Sequence, residues 1–209
     1  GPGGSGIDFV AAGGEQVGST EVRKHYNVVG FDPRGVQRSA PIKCLNAKDT
    51  DHLLYDDFGP AGTAEEVENT RAEMKKFIAA CQKNSGKIFG FVDTVSAAKD
   101  MDVIRSALGA KKLNYLGFSY GTLLGTTYAA LFPKKVGRMV LDGAMDPSVS
   151  DEQQSLNQLK AFNQALRNYL ADCLSKISCL FNGTVDSSIT RISKFFEGLE
   201  AKPIKTSDK

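Results

Sequence analysis

The feature that most restricts the fold is the stretch Leu113–Gly125, "LNYLGFSYGTLLG": a short apolar run, Gly-Phe-Ser-Tyr-Gly, then small and aliphatic residues. The run Leu113–Phe118 has the length and character of a buried strand, and Tyr120–Phe132 reads as a helix stopped by Pro133. Strand and helix therefore meet at Ser119, between Gly117 and Gly121. Gly-x-Ser-x-Gly alone is a weak signal in a chain with 21 glycines among 209 residues. Its place between strand and helix gives it weight. A serine on such a turn sits in a strained backbone region, and glycines on either side remove Cβ atoms that would meet the strand and helix. Its hydroxyl stands over the carboxyl edge of the sheet, at a helix N-terminus that favours developing negative charge. Ser119 is thus the candidate nucleophile; the plainer reading is a passive serine in a glycine-rich turn.

The flanking sequence supplies the rest of an alternating pattern. Tyr26–Asp32, "YNVVGFD", and Val136–Asp142, "VGRMVLD", read as further buried strands. Thr63–Gln82 reads as a helix opened by a capping box, Thr63 with Glu66, and carrying Val67, Met74, Phe77 and Ile78 at helical spacing. Val95–Leu108 reads as another, with Val95, Ala98, Met101, Ile104 and Leu108 in one stripe and Gly109 as its stop. Strand, helix, strand, helix, strand predicts right-handed parallel crossovers and a three-layer α/β sheet over residues 1–147. After Pro147 the pattern turns helical, with Asp151–Leu174 and Val185–Leu199 amphipathic. Residues 148–209 are therefore expected to form a helical lid or cap.

Composition excludes several classes. A net charge of +2, with the charges interspersed, gives no footprint for nucleic acid or an anionic membrane. No apolar run approaches the roughly 18–20 residues of a spanning helix. With two histidines and no paired cysteine motifs at zinc spacing, no metal or other cofactor is expected. Cys173 and Cys179 lie six apart and Cys44 and Cys81 far apart. Two disulfides, Cys44–Cys81 and Cys173–Cys179, would place the chain in an oxidising compartment; the alternative is four free buried thiols. Asn182-Gly-Thr184 matches a glycosylation acceptor, though a chance match is the plainer reading.

Acyl transfer needs two backbone N–H groups aimed at an oxyanion. Tyr120, following the serine, offers one; the N-terminal "GPGGSG" has the composition of the loop that offers the other. Its opening "GP" could instead be left by tag removal. Together, "GPGGSG", "YNVVGFDPRGVQRSAPIKC", the long block "VSAAKDMDVIRSALGAKKLNYLGFSYGTLLGTTYAALFPKKVGRMVLDGAMDP" and "DCLSKISC" resemble the secreted actinobacterial tripeptidyl aminopeptidases, α/β-hydrolases close to the prolyl iminopeptidases. The resemblance covers most of residues 1–180. It implies an α/β-hydrolase fold with an inserted helical lid, export, and peptide or ester hydrolysis through Ser119. It also implies an oxyanion hole of Tyr120 and a first-loop glycine, Gly1. Asp32 and Arg34 match a family motif beside the site and are read as a structural pair fixing the loop. Gln37 stands where the family commonly has glycine, implying a modest loop adjustment.

In these hydrolases the triad runs Ser, Asp or Glu, then His. His25 and His52 both precede Ser119. His25 falls at the amino edge of the sheet; His52, in "DTDHLLYDDF", lies in a loop that begins at the active-site edge, though a solvated loop histidine is the plainer reading. Asp142 and Asp146 are nearby acids, with Asp142 better read as a turn-forming Asp-Gly. The expectation is therefore one portion of a larger enzyme, its Asp and His supplied elsewhere in the same protein. Within that expectation Glu152 or Asp172 could meet a substrate ammonium group. Three functions stay open: an exported exopeptidase releasing short peptides from free N-termini, an esterase for acyl or cell-envelope lipids, and a triad-deficient binding module or inactive fragment.

Overall fold

The computed structural model describes residues 2–13 and 19–204. The chain forms two units, Gly1–Met145 and Asp146–Lys209. In the first, α1 (Gly6–Gly13), α2 (Thr20–His25), α3 (Ala47–Tyr55), α4 (Ala64–Ser85) and α5 (Thr94–Ala107) precede β1 (Leu113–Phe118), α6 (Tyr120–Leu131) and β2 (Val136–Asp142). The strands pair in parallel, from Leu113 opposite Val136 to Phe118 opposite Asp142. Parallel pairing requires a crossover, and α6 supplies it.

The core of this unit lies where α5 and α6 cross under the two strands. Ala97, Ala98, Met101, Leu124 and Tyr128 are buried there, with Phe31, Leu113, Tyr115, Phe132, Val136 and Met139 packed around them. The α5 stripe expected from sequence is turned: Val95 and Leu108 are exposed, while Ala97 and Arg105 are buried. Arg105 is tolerated inside because its guanidinium donates to Asp102 (2.7 Å) and to the Ala110 carbonyl. The fully buried Tyr128 phenol also donates to Asp102, at 3.0 Å.

One expectation is corrected. Tyr26–Asp32 is not a strand: among the described residues its backbone makes no ladder, and Gly6 N donating to Phe31 O (3.2 Å) is its tie to the N-terminal loop. Among the described residues Leu116 and Val140 are exposed, and Phe118 has the ring of Phe9 at 6.1 Å. An apolar run specifies burial but not which neighbour supplies the hydrogen bonds.

Thr63 caps α4 by accepting from Glu66 N (3.2 Å), whereas Glu66 reaches Gly62 N (2.6 Å) rather than the backbone of Thr63. A disulfide joins Cys44 to Cys81, the buried residue of α4, and Asn84 and Ser85 bond the backbone of Cys44 and Lys43. In the second unit α7 (Asp151–Leu174) and α8 (Val185–Ala201) form a hairpin, and Cys173–Cys179 ties the last turn of α7 to the segment that follows it. Leu170 and Ser188 are buried between them, and Thr184 and Ser187 close a reciprocal capping box on α8. No described helix is long and apolar enough to cross a membrane.

His52 belongs to α3, not to a loop, and is half exposed. Its ring bonds Asp56 at the end of α3 and faces Glu73 of α4 at 3.6 Å, so it links the two helices. The Asp56 carboxylate, helped by Glu73, raises the imidazole pKa above its ordinary value. A raised histidine pKa stabilises the protonated fold below the unfolded-state value, and that contribution fades as pH climbs through the native value. Replacing His52 by Gln should therefore lower the denaturation midpoint more at about pH 5 than at about pH 9. Urea titrations of both proteins at the two pH values measure it.

Candidate active site

Ser119 connects β1 to α6 with φ 51° and ψ −119°, a conformation that L-residues adopt only under constraint. The constraint is visible in its hydrogen bonds. Its N–H donates to the Asp142 carbonyl at 2.9 Å, carrying the parallel pairing past the end of β1. Its carbonyl accepts from Thr122 N at 2.8 Å and Thr122 Oγ1 at 2.6 Å. The buried Thr122 hydroxyl accepts in turn from Met145 N at 2.9 Å. The serine side chain is left out of this network: it is exposed and makes no capping hydrogen bond to α6. Tyr120 therefore takes the first helical position, where the backbone N–H has no partner inside the helix and can receive an anion. Its phenol shares a 2.9 Å hydrogen bond with Thr94 Oγ1, joining the starts of α6 and α5.

The glycines beside the serine have concrete contacts. A Cβ on Gly117 would lie 2.5 Å from the Gly121 carbonyl oxygen, and one on Gly121 would lie 3.3 Å from the Tyr115 hydroxyl. Gly117 is thus compelled by backbone approach, Gly121 less severely.

The second loop sits against Phe31–Arg38. Gly1 lies outside the described residues, so its expected oxyanion role has no described geometry. Ser5 caps α1, its hydroxyl accepting from Asp8 N (3.0 Å) and donating to Asp32. Ser5 is therefore tied into the fold. Asp32, its side chain fully enclosed, also accepts from Ile7 N (3.3 Å), Arg38 N (3.2 Å) and Arg38 Nη1 (3.4 Å). The Ser5 hydroxyl leads the donors holding the Asp32 carboxyl below the usual carboxylate pKa, against the opposing pull of burial.

Asp32 and Arg34 make separate sets of contacts. Arg34 forks onto Asp100 of α5, with Nε at 2.7 Å and Nη2 at 2.5 Å, and donates to the Phe91 carbonyl at 3.2 Å. Each residue fixes its loop to a different neighbour. The intervening turn keeps a glycine-type backbone at Gln37, where φ is 39°.

The two histidines do not join this arrangement. His25 bonds Glu21, and neither histidine shares a hydrogen bond with Ser119. Asp142 contributes its backbone carbonyl to the serine, while Asp146 bonds Ser148 in the second unit. Asp172 of α7 pairs with Lys176 just past the helix end, and Glu152 lies exposed in the first turn of α7. Of the cysteines, Cys44–Cys81 and Cys173–Cys179 are both bonded. No cluster suited to a metal ion occurs among the described residues. A surface hollow of about 560 Å³, lined by His52, Phe58, Glu65, Asn69 and Glu73, does not include Ser119.

Backbone strain at residue 119 is measurable. Ser119→Ala keeps the unfavourable φ, whereas Ser119→Gly relieves it. Ser119→Gly should therefore be more stable than Ser119→Ala by about 1 kcal/mol in equilibrium urea unfolding, the strain relief exceeding the entropic cost of glycine.

A family model described as alpha/beta hydrolase fold matches residues 15–181. "Serine protease Hip1" of Mycobacterium tuberculosis is 45% identical over 184 residues, covering 86% of this chain and 34% of that protein. "Tripeptidyl aminopeptidase" of Streptomyces lividans is 43% identical over 152 residues, covering 71% of this chain and 28% of that protein. "Carboxylesterase B" of Mycobacterium tuberculosis is 38% identical over 213 residues, covering 100% of this chain and 40% of that protein. The chain thus spans about a third of the length of these curated relatives. A strained serine on a strand-to-helix turn, set in sequence that matches this family over most of its length, makes the chain a member of the α/β-hydrolase fold family.

Proposed function

We propose that Ser119 is the nucleophile of an exported serine exopeptidase that releases tripeptides from free N-termini through an acyl-enzyme. The single observation that carries this reading is the Ser119 geometry: a strained turn, an exposed hydroxyl without a capping bond, and the Tyr120 amide beside it. The hydroxyl would attack the scissile carbonyl, and the Tyr120 N–H with one from the glycine-rich loop would receive the oxyanion. Likeness to a protein named tripeptidyl aminopeptidase supports the exopeptidase reading. The bonded cysteines support an oxidising compartment.

Serine without a general base is a poor nucleophile. The base and its acid are proposed to come from the same protein outside these residues, because neither described histidine is bonded to Ser119. The second unit, Asp146–Lys209, is proposed to be the lid.

An esterase is the second reading, favoured by one observation: the protein named carboxylesterase B matches the whole chain. Turnover of tripeptide amides, dipeptide amides and short acyl esters by the whole protein separates the two. The expected result is tripeptide amides cleaved best, with kcat falling at least about 1000-fold in Ser119→Ala. Preference for esters would replace the peptidase reading, and undiminished turnover in Ser119→Ala would remove the serine from the mechanism.

A further inference from the structure

We propose that Tyr115 is a positioning residue for the nucleophile, its phenol fastening the Ser119 turn from beneath; this rests on reading Ser119 as the nucleophile. Tyr115 lies on β1 four residues before the serine, on the strand face that packs against the core. Its hydroxyl donates to the carbonyl of Gly121, two residues after the serine, at 2.8 Å. The hydrogen bond therefore spans the elbow, tying the strand that enters it to the first turn of the helix that leaves it.

The ring has a seat shaped for it. A Cβ on Gly117 would lie 2.6 Å from Tyr115 Cε1, and one on Gly125 would lie 2.7 Å from the same atom. A Cβ on Gly121 would lie 3.3 Å from the hydroxyl. Gly121 and Gly125 stand one helical turn apart on α6, so both present bare backbone to the same ring. The glycines around the serine thus make room for this tyrosine as well as for the backbone.

Burial pushes the Tyr115 phenol up to about 12, with Tyr120 adding to the shift. The group stays protonated through the neutral range, so it acts as a donor and not as a base. Its effect reaches the chemistry through Ser119: a loosened elbow spreads the hydroxyl and the Tyr120 N–H over more orientations, which costs the transition state more than substrate binding.

Tyr115→Phe keeps the ring in its seat and removes the one hydrogen bond. In the whole protein, with active serines titrated so that rates are per site, kcat should fall about three- to tenfold while KM stays within about twofold. Amide hydrogen exchange over residues 119–125 should speed up about threefold or more. Either an unchanged kcat or unchanged exchange overturns the role of Tyr115. An active wild type with inert Ser119→Ala and unchanged Tyr115→Phe refutes Tyr115 alone. A wild type that turns over none of the peptide or ester substrates refutes the nucleophile reading, and the positioning role with it.

Discussion

The structure around residue 119 depends on holding one L-residue at a backbone conformation that costs on the order of 1–3 kcal/mol when unsupported. Three hydrogen bonds act directly on that peptide: Ser119 N to Asp142 O, and Thr122 N and Oγ1 to Ser119 O. At about 0.5–1.5 kcal/mol each, they suffice to offset the strain. They also account for the side chain's freedom. With the backbone satisfied by β2 and by Thr122, the hydroxyl is not needed as a cap and is left exposed. At most helix starts a serine in this position spends its oxygen on the backbone; here the Thr122 N–H is met by the Ser119 carbonyl instead.

A second set of ties fixes the loops that flank the serine. Asp32 gathers Ser5, Ile7 and Arg38, so the glycine-rich segment and the turn after it share one buried carboxylate. Arg34 leaves that cluster and clamps Asp100 on α5, the helix whose first turn also meets Tyr120 through Thr94. The Arg34 loop is therefore held on α5, and the N-terminal segment is held on that loop through Asp32. A carboxylate enclosed with four donors is costly to leave half-satisfied, which makes this cluster an all-or-nothing arrangement.

Much of this frame could be read from the sequence, and the reasons are local. The ends of β1, α6 and β2 follow from apolar runs and Pro133, all signals within a few residues of the boundary. What was hidden is non-local. The Asp100 partner of Arg34 is 66 positions away, and nothing in "FDPRG" points to it. The same applies to Tyr26–Asp32, whose composition fits a strand although the ladder forms only between β1 and β2. Tyr115 was missed for a different reason: an inward aromatic on a strand reads as core filler. The signal that could have found it is the run of glycines at 117, 121 and 125, too regular for turn chemistry alone.

The central claim is that the oxygen of Ser119 is the reacting atom. Incubating the whole protein with a fluorophosphonate and mapping the adduct by peptide mass spectrometry tests it most directly. The account predicts a single phosphonylated peptide, carrying the modification on Ser119 and absent after heat denaturation. An adduct on a different residue, or no adduct in protein that still cleaves substrate, would contradict it.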